Sequence, residues 1–161
     1  MDQKEYISLA YDLFREAYER QMEGELDAAV ELYQRSIKMY PTAEAYTFLG
    51  WTYSSQGKLD QAIEECKKAI EIDPDFGNPY NDIGAYLIEK SQHQEAIPWL
   101  LKAAKARRYD SYHFAHYNLG RAYLALESFN RAKEEFERAL RIEPDYELAR
   151  EALLLLKKQI Q

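Results

Sequence analysis

The stretch YTFLGWTY, residues 46–53, places Gly50 in the middle of a sequence that otherwise favours helix. The frame Tyr-x2-Leu-Gly returns as YNDIG, residues 80–84, and with histidine in first place as HYNLG, residues 116–120. A glycine inside a helix costs about 1 kcal/mol relative to alanine. Because these glycines recur at spacings of 34 and 36 residues, we expect each to let a second helix approach closely, as in a helical repeat.

The residues after each glycine predict a second helix in every repeat. An alanine follows each glycine by 12 residues, at Ala62, Ala96 and Ala132. Behind each alanine, apolar residues recur at the spacing of an amphipathic helix. Pro74 and Pro144 follow two of these stretches, and a proline cannot continue a helix. Each repeat is therefore predicted to be a pair of antiparallel helices.

The same spacing sets the boundaries of the repeats. We place three repeats at residues 43–76, 77–112 and 113–146, and a degenerate repeat at about 10–42. In the degenerate repeat, Gly24 and Ala29 match Gly57 and Ala62 at an offset of 33 residues. Ala17 stands where the other first helices have glycine. An atypical terminal repeat is expected, because one of its faces meets water.

A last amphipathic stretch, residues 146–160, is predicted to be a helix that caps the final repeat. Its apolar face ends next to Lys157 and Lys158, and cations suit the C-terminal end of a helix. With this helix the prediction is nine helices in one domain, residues 1–161.

Two irregularities interrupt the pattern, and both lie in the repeat at 77–112. Pro98 falls near the start of its second helix, which we expect to begin at about 92–94. The closing proline is missing, and the sequence there is RRYD, residues 107–110, with two extra residues before the next repeat. We expect a longer turn at this junction and a local change in superhelix pitch.

These residues resemble the tetratricopeptide repeat family, whose pattern is W-x2-L-G-x2-Y, then A-x3-F, then P. The repeat at 43–76 matches that pattern with Tyr46, Leu49, Gly50, Tyr53, Ala62, Cys66 and Pro74. The repeat at 113–146 matches it with His116, Leu119, Gly120, Tyr123, Ala132, Phe136 and Pro144. The resemblance implies an all-α, right-handed superhelical solenoid, whose concave groove is lined by the first helix of each pair.

Composition excludes several classes of function. The formal net charge of −7 argues against non-specific binding to nucleic acid. Cys66 is the single cysteine, so no disulfide can form within the chain. No stretch approaches the roughly 18–20 apolar residues that span a bilayer, and the N-terminus lacks the apolar core of a signal peptide. We therefore expect no membrane partner and a cytoplasmic location.

The first helices keep a second face after the packing positions are assigned, and it is rich in aromatic residues and poor in charge. Such a composition is typical of a recognition surface. The candidate peptide-binding residues are Tyr18, Thr47, Trp51, Asn78, Asn81, Phe114, Tyr117, Asn118 and Arg121. We expect Trp51 and Tyr117 to be the anchors, and the amides of Asn81 and Asn118 to bond a peptide backbone. The alternative is that most of these rings pack internally.

The resemblance also implies a test for one specialised role. Family members that hold the C-terminal carboxylate of heat-shock chaperones use a clamp of lysine, arginine and asparagine on three successive first helices. The matching positions here include Phe14, Phe48 and Asp82. Asn78 and Asn118 resemble clamp side chains, but each stands where a cation belongs. We therefore reject that role for this chain.

The sequence carries no signature of an enzyme. No phosphate-binding glycine loop, HExxH or CxxC motif occurs. His93, His113 and His116 are the only histidines, and a metal site would need further ligands. The acidic residues are spaced for surface pairs on a helix, as in Glu64/Lys68, Lys133/Glu137 and Glu134/Arg138. We predict no catalytic residue, no cofactor and no metal.

Two functional hypotheses remain. The first is a protein-interaction module that binds a peptide or partner segment in the concave groove, as an adaptor, assembly factor or co-chaperone. The second is a structural subunit that self-associates through the ends of the solenoid or through its aromatic face. We expect the chain to be a monomer or a weak homo-oligomer, with another protein or peptide as its partner.

Overall fold

The computed structural model describes residues 1–160, which form nine α-helices and no strand. The helices are α1 (Gln3–Met22), α2 (Leu26–Met39), α3 (Ala43–Ser55), α4 (Leu59–Ile72), α5 (Asn78–Glu89), α6 (His93–Lys105), α7 (Tyr112–Ala125), α8 (Phe129–Ile142) and α9 (Glu147–Gln159). The predicted all-α helical repeat fold is confirmed. The helices group into two compact units, Met1–Pro74 with α1–α4 and a second unit from Asp75 onward with α5–α9. The single domain of the sequence analysis stays a prediction.

In the first unit, α1 packs on α2 and α3 packs on α4, with α2 also in contact with α3. The close approach predicted at Gly50 is present. A Cβ at Gly50 would lie 2.9 Å from the carbonyl oxygen of Ala62 and 3.1 Å from Cys66 Sγ. Ala17, the predicted substitute for glycine in α1, is fully buried. Small residues therefore set the distance between helices in both pairs.

In the second unit, the pairs are α5 with α6 and α7 with α8, and α9 packs on α8. A Cβ at Gly84 would overlap the side chain of Leu100, and one at Gly120 would overlap the ring of Phe136. Leu156 of α9 is buried against Phe136, as the capping role predicted for residues 146–160 requires. A contact that the repeat pattern did not predict lies at Gly77, where a Cβ would overlap Tyr109.

The turn inside each helix pair has the same backbone geometry. Its central residue has a positive φ and is Gly24 (81°), Gly57 (77°), Ser91 (60°) and Glu127 (60°) in the four pairs. In the second pair, the Lys58 amide donates to Tyr53 O at 2.9 Å and the Gly57 amide to Ser54 O at 3.0 Å. This is the Schellman motif, which ends a helix with a left-handed residue and is usually built on glycine. The first unit uses glycine in both turns, and the second unit uses none.

The two irregularities have distinct outcomes. Helix α6 begins at His93, as expected, but Pro98 is its sixth residue. That position lies beyond the free amides of the first turn, so the proline removes one intrahelical hydrogen bond, to Gln94 O.

The connection between α6 and α7, residues 106–111, is the longest between described helices. It is held by a parallel bridge between Phe76 and Arg108. The Gly77 amide donates to Arg108 O at 3.0 Å, and the Arg108 amide donates to Asp75 O at 2.9 Å. The extra residues of the sequence therefore form an ordered connection that pairs with the start of α5.

Candidate functional site

In the second unit, a chain of side-chain hydrogen bonds joins α5 and α7. Arg121 Nη1 donates to Asn118 Oδ1 at 3.0 Å, and Asn118 Nδ2 donates to Asn81 Oδ1 at 3.0 Å. Asn81 in turn donates to the carboxylate of Asp82. We call Asp82, Asn81, Asn118 and Arg121 the polar chain. It joins two first helices and runs from a guanidinium to a carboxylate.

The polar chain changes the role expected for its two asparagines. Asn81 and Asn118 are buried, and each amide is engaged with a neighbouring side chain. A buried amide with satisfied partners stabilises the structure around it. Asn118 therefore positions Arg121 and is not presented as a free group on the surface.

An aromatic cluster surrounds the guanidinium end of the polar chain. The Arg121 guanidinium lies 5.9 Å from the ring centroid of Tyr117. The Tyr117 ring contacts Tyr146 edge-on at 5.3 Å and also packs against the buried Phe136 at 5.8 Å. Burial and the neighbouring Tyr117 raise the pKa of Tyr146 to about 12, while Arg121 acts in the opposite direction. Tyr117 thus contributes to the core as well as to this face.

Phe114 is the exposed ring of the same cluster. It is 41% exposed, and its centroid lies 5.6 Å from Tyr146 and 4.2 Å from His113. A ring held by two others on an exposed face has few conformations to lose on binding. Phe114 is the best-presented apolar group on α7.

In the first unit, aromatic rings lie on the corresponding face of α1 and α3. Trp51 and Tyr18 are each 41% exposed, and both rest on Phe48, at centroid distances of 5.8 and 5.7 Å. Phe48 also contacts Phe14 edge-on at 5.2 Å and lies 6.3 Å from the buried Tyr33. The half-buried ring of Phe48 therefore supports the two exposed rings of Tyr18 and Trp51.

Two other predicted peptide-binding residues, Thr47 and Asn78, do not have fully exposed side chains. Thr47 is buried, and its hydroxyl donates to Ala43 O at 2.7 Å inside α3. Asn78 is half-buried at the first position of α5, after the N-cap residue Gly77. The exposed groups among the candidates are Tyr18, Trp51 and Phe114, and Arg121 is half-buried.

Sequence reasoning missed Asp82 as part of the polar chain and Tyr146 as part of the aromatic cluster. Asp82 stands at the position that Asn118 has in α7 and Phe48 has in α3, directly before the aliphatic-glycine pair. Comparing that single position across repeats could have identified Asp82. Tyr146 comes from the N-cap of α9, and no repeat position predicts it.

A second buried polar group lies between α7 and α8. His116 Nδ1 and Glu135 Oε2 are 2.7 Å apart, and Arg138 Nη1 donates to the other carboxylate oxygen at 2.7 Å. Glu135 is buried. His116 stands at the repeat position that Tyr46 and Tyr80 occupy in the other repeats. These contacts explain the histidine, because its ring fills that position and also binds Glu135.

The surface pairs are partly as predicted. Arg138 pairs with Glu134 at 2.9 Å and Lys133 with Glu137 at 3.9 Å. Lys68, however, bonds Glu65 at 2.9 Å, and Lys67 lies 3.5 Å from Glu64. The predicted Glu64/Lys68 pair is replaced by these i, i+3 pairs.

Within residues 1–160, no three histidine, cysteine or acidic side chains come together in a way that could hold a metal ion. In the same residues, no helix is both long and apolar enough to cross a membrane.

Comparison with known proteins identifies a repeat family. Models of the tetratricopeptide repeat match residues 43–76, 65–97 and 113–146. The type IV pilus assembly protein PilF of Pseudomonas aeruginosa is 28% identical over 120 residues, which are 74% of this chain and 48% of PilF. The chain spans 20%, 48% and 62% of the lengths of three curated relatives that it matches.

Solved structures share the fold. MamA has a TM-score of 0.76 at 26% identity, covering 89% of this chain and 83% of MamA. The first repeat domain of Spaghetti (RPAP3), bound to the HSP90 peptide SRMEEVD, has a TM-score of 0.69 at 26% identity. That match covers 74% of this chain and 93% of the RPAP3 domain.

Proposed function

Because the chain belongs to the tetratricopeptide repeat family, we propose that it is a protein-interaction module of the adaptor or assembly-factor class. Its partner would contribute a peptide segment that lies on the exposed face of the first helices in either unit. No residue of the chain is assigned a catalytic role in this proposal.

The observation that carries the proposal is that each unit presents an exposed ring supported from beneath by other rings, Trp51 in the first unit and Phe114 in the second. Large aromatic side chains that are held in place before binding are typical of the anchors that dominate interface energies. Both lie on first helices, α3 and α7, at positions left over by repeat packing. Arg121, held by Asn118, adds a fixed donor for a carbonyl or carboxylate.

The relatives support binding without naming the partner. RPAP3 holds a peptide on the same fold, and PilF is described as an assembly protein. The HSP90 peptide in the RPAP3 structure has three acidic residues, whereas the positions that would hold its carboxylate include Phe48 and Asp82 here. We therefore do not extend that peptide to this chain.

A randomised peptide library displayed against the purified protein tests the proposal. We expect the wild-type protein to enrich peptides, and the Trp51→Ala/Phe114→Ala variant to bind them at least about tenfold more weakly. These two rings are preferable to Tyr117 because Tyr117 also packs on Phe136. Phe129→Ala is the matched control, since this ring is 37% exposed but lies on the second helix α8.

Two results would contradict the proposal. Either the wild-type protein enriches no peptide, or the double variant binds the enriched peptides as tightly as the Phe129→Ala control. Circular dichroism of all three proteins would show that a loss of binding is not a loss of folding.

A specific observation also favours the second hypothesis, self-association. Leu148, Leu154 and Leu155 of the capping helix α9 are 51%, 57% and 64% exposed. Exposed apolar residues that share one helix are typical of an interface. Light scattering across a range of concentrations tests this, with Leu154→Glu/Leu155→Glu as the variant. A wild-type protein that stays monomeric at high concentration would exclude self-association.

A further inference from the structure

The second helix α6 and the residue after next carry positive charge with no carboxylate among them. Residues 96–109 contain no aspartate or glutamate, and their cations are Lys102, Lys105, Arg107 and Arg108. The first three are exposed. The Arg108 guanidinium lies 4.0 Å from the ring centroid of Phe76, so it is engaged in the connection after α6. In a chain with a formal net charge of −7, the other three form a local excess of positive charge.

The other second helices that carry exposed cations pair them internally. In α4, Lys68 Nζ lies 2.9 Å from Glu65 Oε1, and in α8, Arg138 Nη2 lies 2.9 Å from Glu134 Oε1. Each pair is three or four residues apart, which is the spacing of neighbours on a helix surface. These cations are therefore neutralised by their own helix.

The cations of α6 have no such neighbour. The residues three and four positions away from Lys102 and Lys105 are all apolar, aromatic or basic, and the two lysines are themselves three apart. The next carboxylates along the chain are Glu95, two turns before Lys102, and Asp110, in the connection after α6. Within residues 1–160, Lys102, Lys105 and Arg107 form no ion pair. Like charges at this spacing repel, so α6 gains no stability from them.

The lysines share one face of α6 with two apolar residues. Pro98, Leu101, Lys102 and Lys105 follow one another at intervals of three, one and three residues, which keeps them on one side of a helix. All four are exposed, Leu101 by 39%. The buried residues of α6 are Ala96, Leu100 and Ala103. We call Pro98, Leu101, Lys102 and Lys105 the basic face of α6, and Arg107 follows it at the end of the helix.

One cation of the basic face is held in place. Lys102 Nζ lies 4.9 Å from the ring centroid of Trp99, and the Trp99 ring lies 6.3 Å from the buried Tyr80. An ammonium group attracted to an aromatic face has less freedom to lose when a ligand binds. Lys102 is therefore both exposed and positioned.

We propose that the basic face of α6 is a docking surface for an acidic segment of a partner protein. Two carboxylates of that segment, one helical turn apart, would bond Lys102 and Lys105, and an apolar side chain would cover Leu101. The basic face lies on a second helix, whereas Phe114 in the same unit lies on the first helix α7. The inference therefore goes beyond the proposed function and does not rest on it.

Charge complementarity selects an acidic protein segment as the occupant. The lysines lack carboxylate partners of their own, and at physiological salt charges more than about 8 Å away are largely screened, so the acidic remainder of the chain does not cancel their attraction. A membrane surface would require a wider apolar stripe than Pro98 and Leu101 provide. A nucleic acid would require more cations than the three exposed here.

A displayed peptide library in which two glutamates are fixed three residues apart, with all other positions random, tests the inference. We expect the wild-type protein to enrich peptides from it, and Lys102→Glu/Lys105→Glu to bind them about tenfold more weakly. Lys102→Arg/Lys105→Arg keeps the charge and should retain binding. The copy of each peptide with lysine in place of both glutamates should prefer the Lys102→Glu/Lys105→Glu variant over the wild-type protein.

The matched control is Lys67→Glu/Lys68→Glu on α4. It changes the net charge by the same amount at two exposed lysines that have glutamate partners, and it should weaken binding by less than about twofold. Circular dichroism of every variant checks folding. If the charge-reversed α6 variant is unfolded, Lys102→Gln/Lys105→Gln replaces it, with an expected loss of about threefold.

Three results would overturn the inference. The library yields no peptide, or both charge-reversed variants weaken binding equally, or the Trp51→Ala/Phe114→Ala variant loses the same peptides, which would place them on the first helices. Phosphatidylserine vesicles and a single-stranded DNA oligonucleotide are measured in parallel, and binding of either through Lys102 and Lys105 without an enriched peptide also overturns it. Acidic peptides that depend on these lysines and not on Trp51 and Phe114 support the inference, whatever the fully randomised library shows for the proposed function.

Discussion

The two units of the chain use one repeat frame to build two different faces. In the first unit, the residue before Leu49-Gly50 is Phe48, and it organises an aromatic face around Trp51 and Tyr18. In the second unit, the same position holds Asp82 and Asn118, and it builds the polar chain that ends at Arg121. The repeat glycines and their aliphatic neighbours pack in the same way in both units, so they align the repeats with one another. The single residue before each aliphatic-glycine pair differs, and it determines whether the face is aromatic or polar.

The largest effect that separates the units is expected from Phe48→Ala. The Phe48 ring contacts Phe14, Tyr18, Tyr33 and Trp51, so its removal leaves a cavity and frees the exposed rings. We expect a loss of roughly 2–4 kcal/mol in the free energy of unfolding of the first unit. Chemical denaturation followed by tryptophan fluorescence measures it.

Asn118→Ala, in the matching position of α7, serves as the comparison variant. It leaves the partners of a buried amide unsatisfied and should cost about 1–3 kcal/mol. If Phe48→Ala cost less than Asn118→Ala, Phe48 would not be the organising residue of the aromatic face.

The second prediction compares how the two units accommodate a larger residue at the repeat glycine. Gly84→Leu should overpack against Leu100 and cost on the order of 1–3 kcal/mol. Gly50→Leu should cost more, because the first atom it meets is the backbone oxygen of Ala62, which cannot rotate away as the side chain of Leu100 can. Thermal melts of both variants test the order. An unchanged melting temperature for Gly84→Leu would contradict the packing role of the glycines.

The sequence was sufficient to predict the fold because the repeat glycines and alanines are constrained by close contacts between the helices of each pair. Gly50 and Ala62 must both be small, and this requirement leaves a periodic trace. The candidate site was less predictable. Trp51 and Phe114 were identified from helical spacing, whereas the burial of Thr47 and the engagement of Asn118 with Asn81 depend on which rotamer each side chain adopts. Tyr146 joins the site from another helix, and no periodic signal records such a contact.

The third prediction concerns the cost of the carboxylate in the second unit. Burial raises the pKa of Asp82 from its ordinary value of 3.8 to about 7, so the folded state binds a proton more tightly than the unfolded state. Its contribution to stability is complete below pH 4 and is lost as pH rises to about 7. Asp82→Asn should therefore be more stable than the wild-type protein at pH 8, by roughly 1–3 kcal/mol, and should lack this pH dependence.

Urea denaturation at pH 5 and pH 8 measures both quantities. Asp110→Asn serves as the control, because it changes an exposed carboxylate of the same unit, and it should shift stability by less than about 0.5 kcal/mol. A stability difference between Asp82→Asn and wild type that is equal at the two pH values would contradict the assignment.

The smallest expected effect lies in the turns that distinguish the two units. The first unit has Gly24 and Gly57 at the left-handed position, and the second has Ser91 and Glu127 with φ of 60°. A residue with a Cβ is strained in that region, whereas glycine adopts it without steric cost. Glu127→Gly should stabilise the second unit by about 0.5–1 kcal/mol, since the relief of strain exceeds the added flexibility of the unfolded chain. The reverse change, Gly57→Ser, should destabilise the first unit by a similar amount, and thermal melts of the pair measure both. If both changes left the melting temperatures unaltered, the second unit would gain its turn geometry from contacts around the turn and not from the residue at its centre.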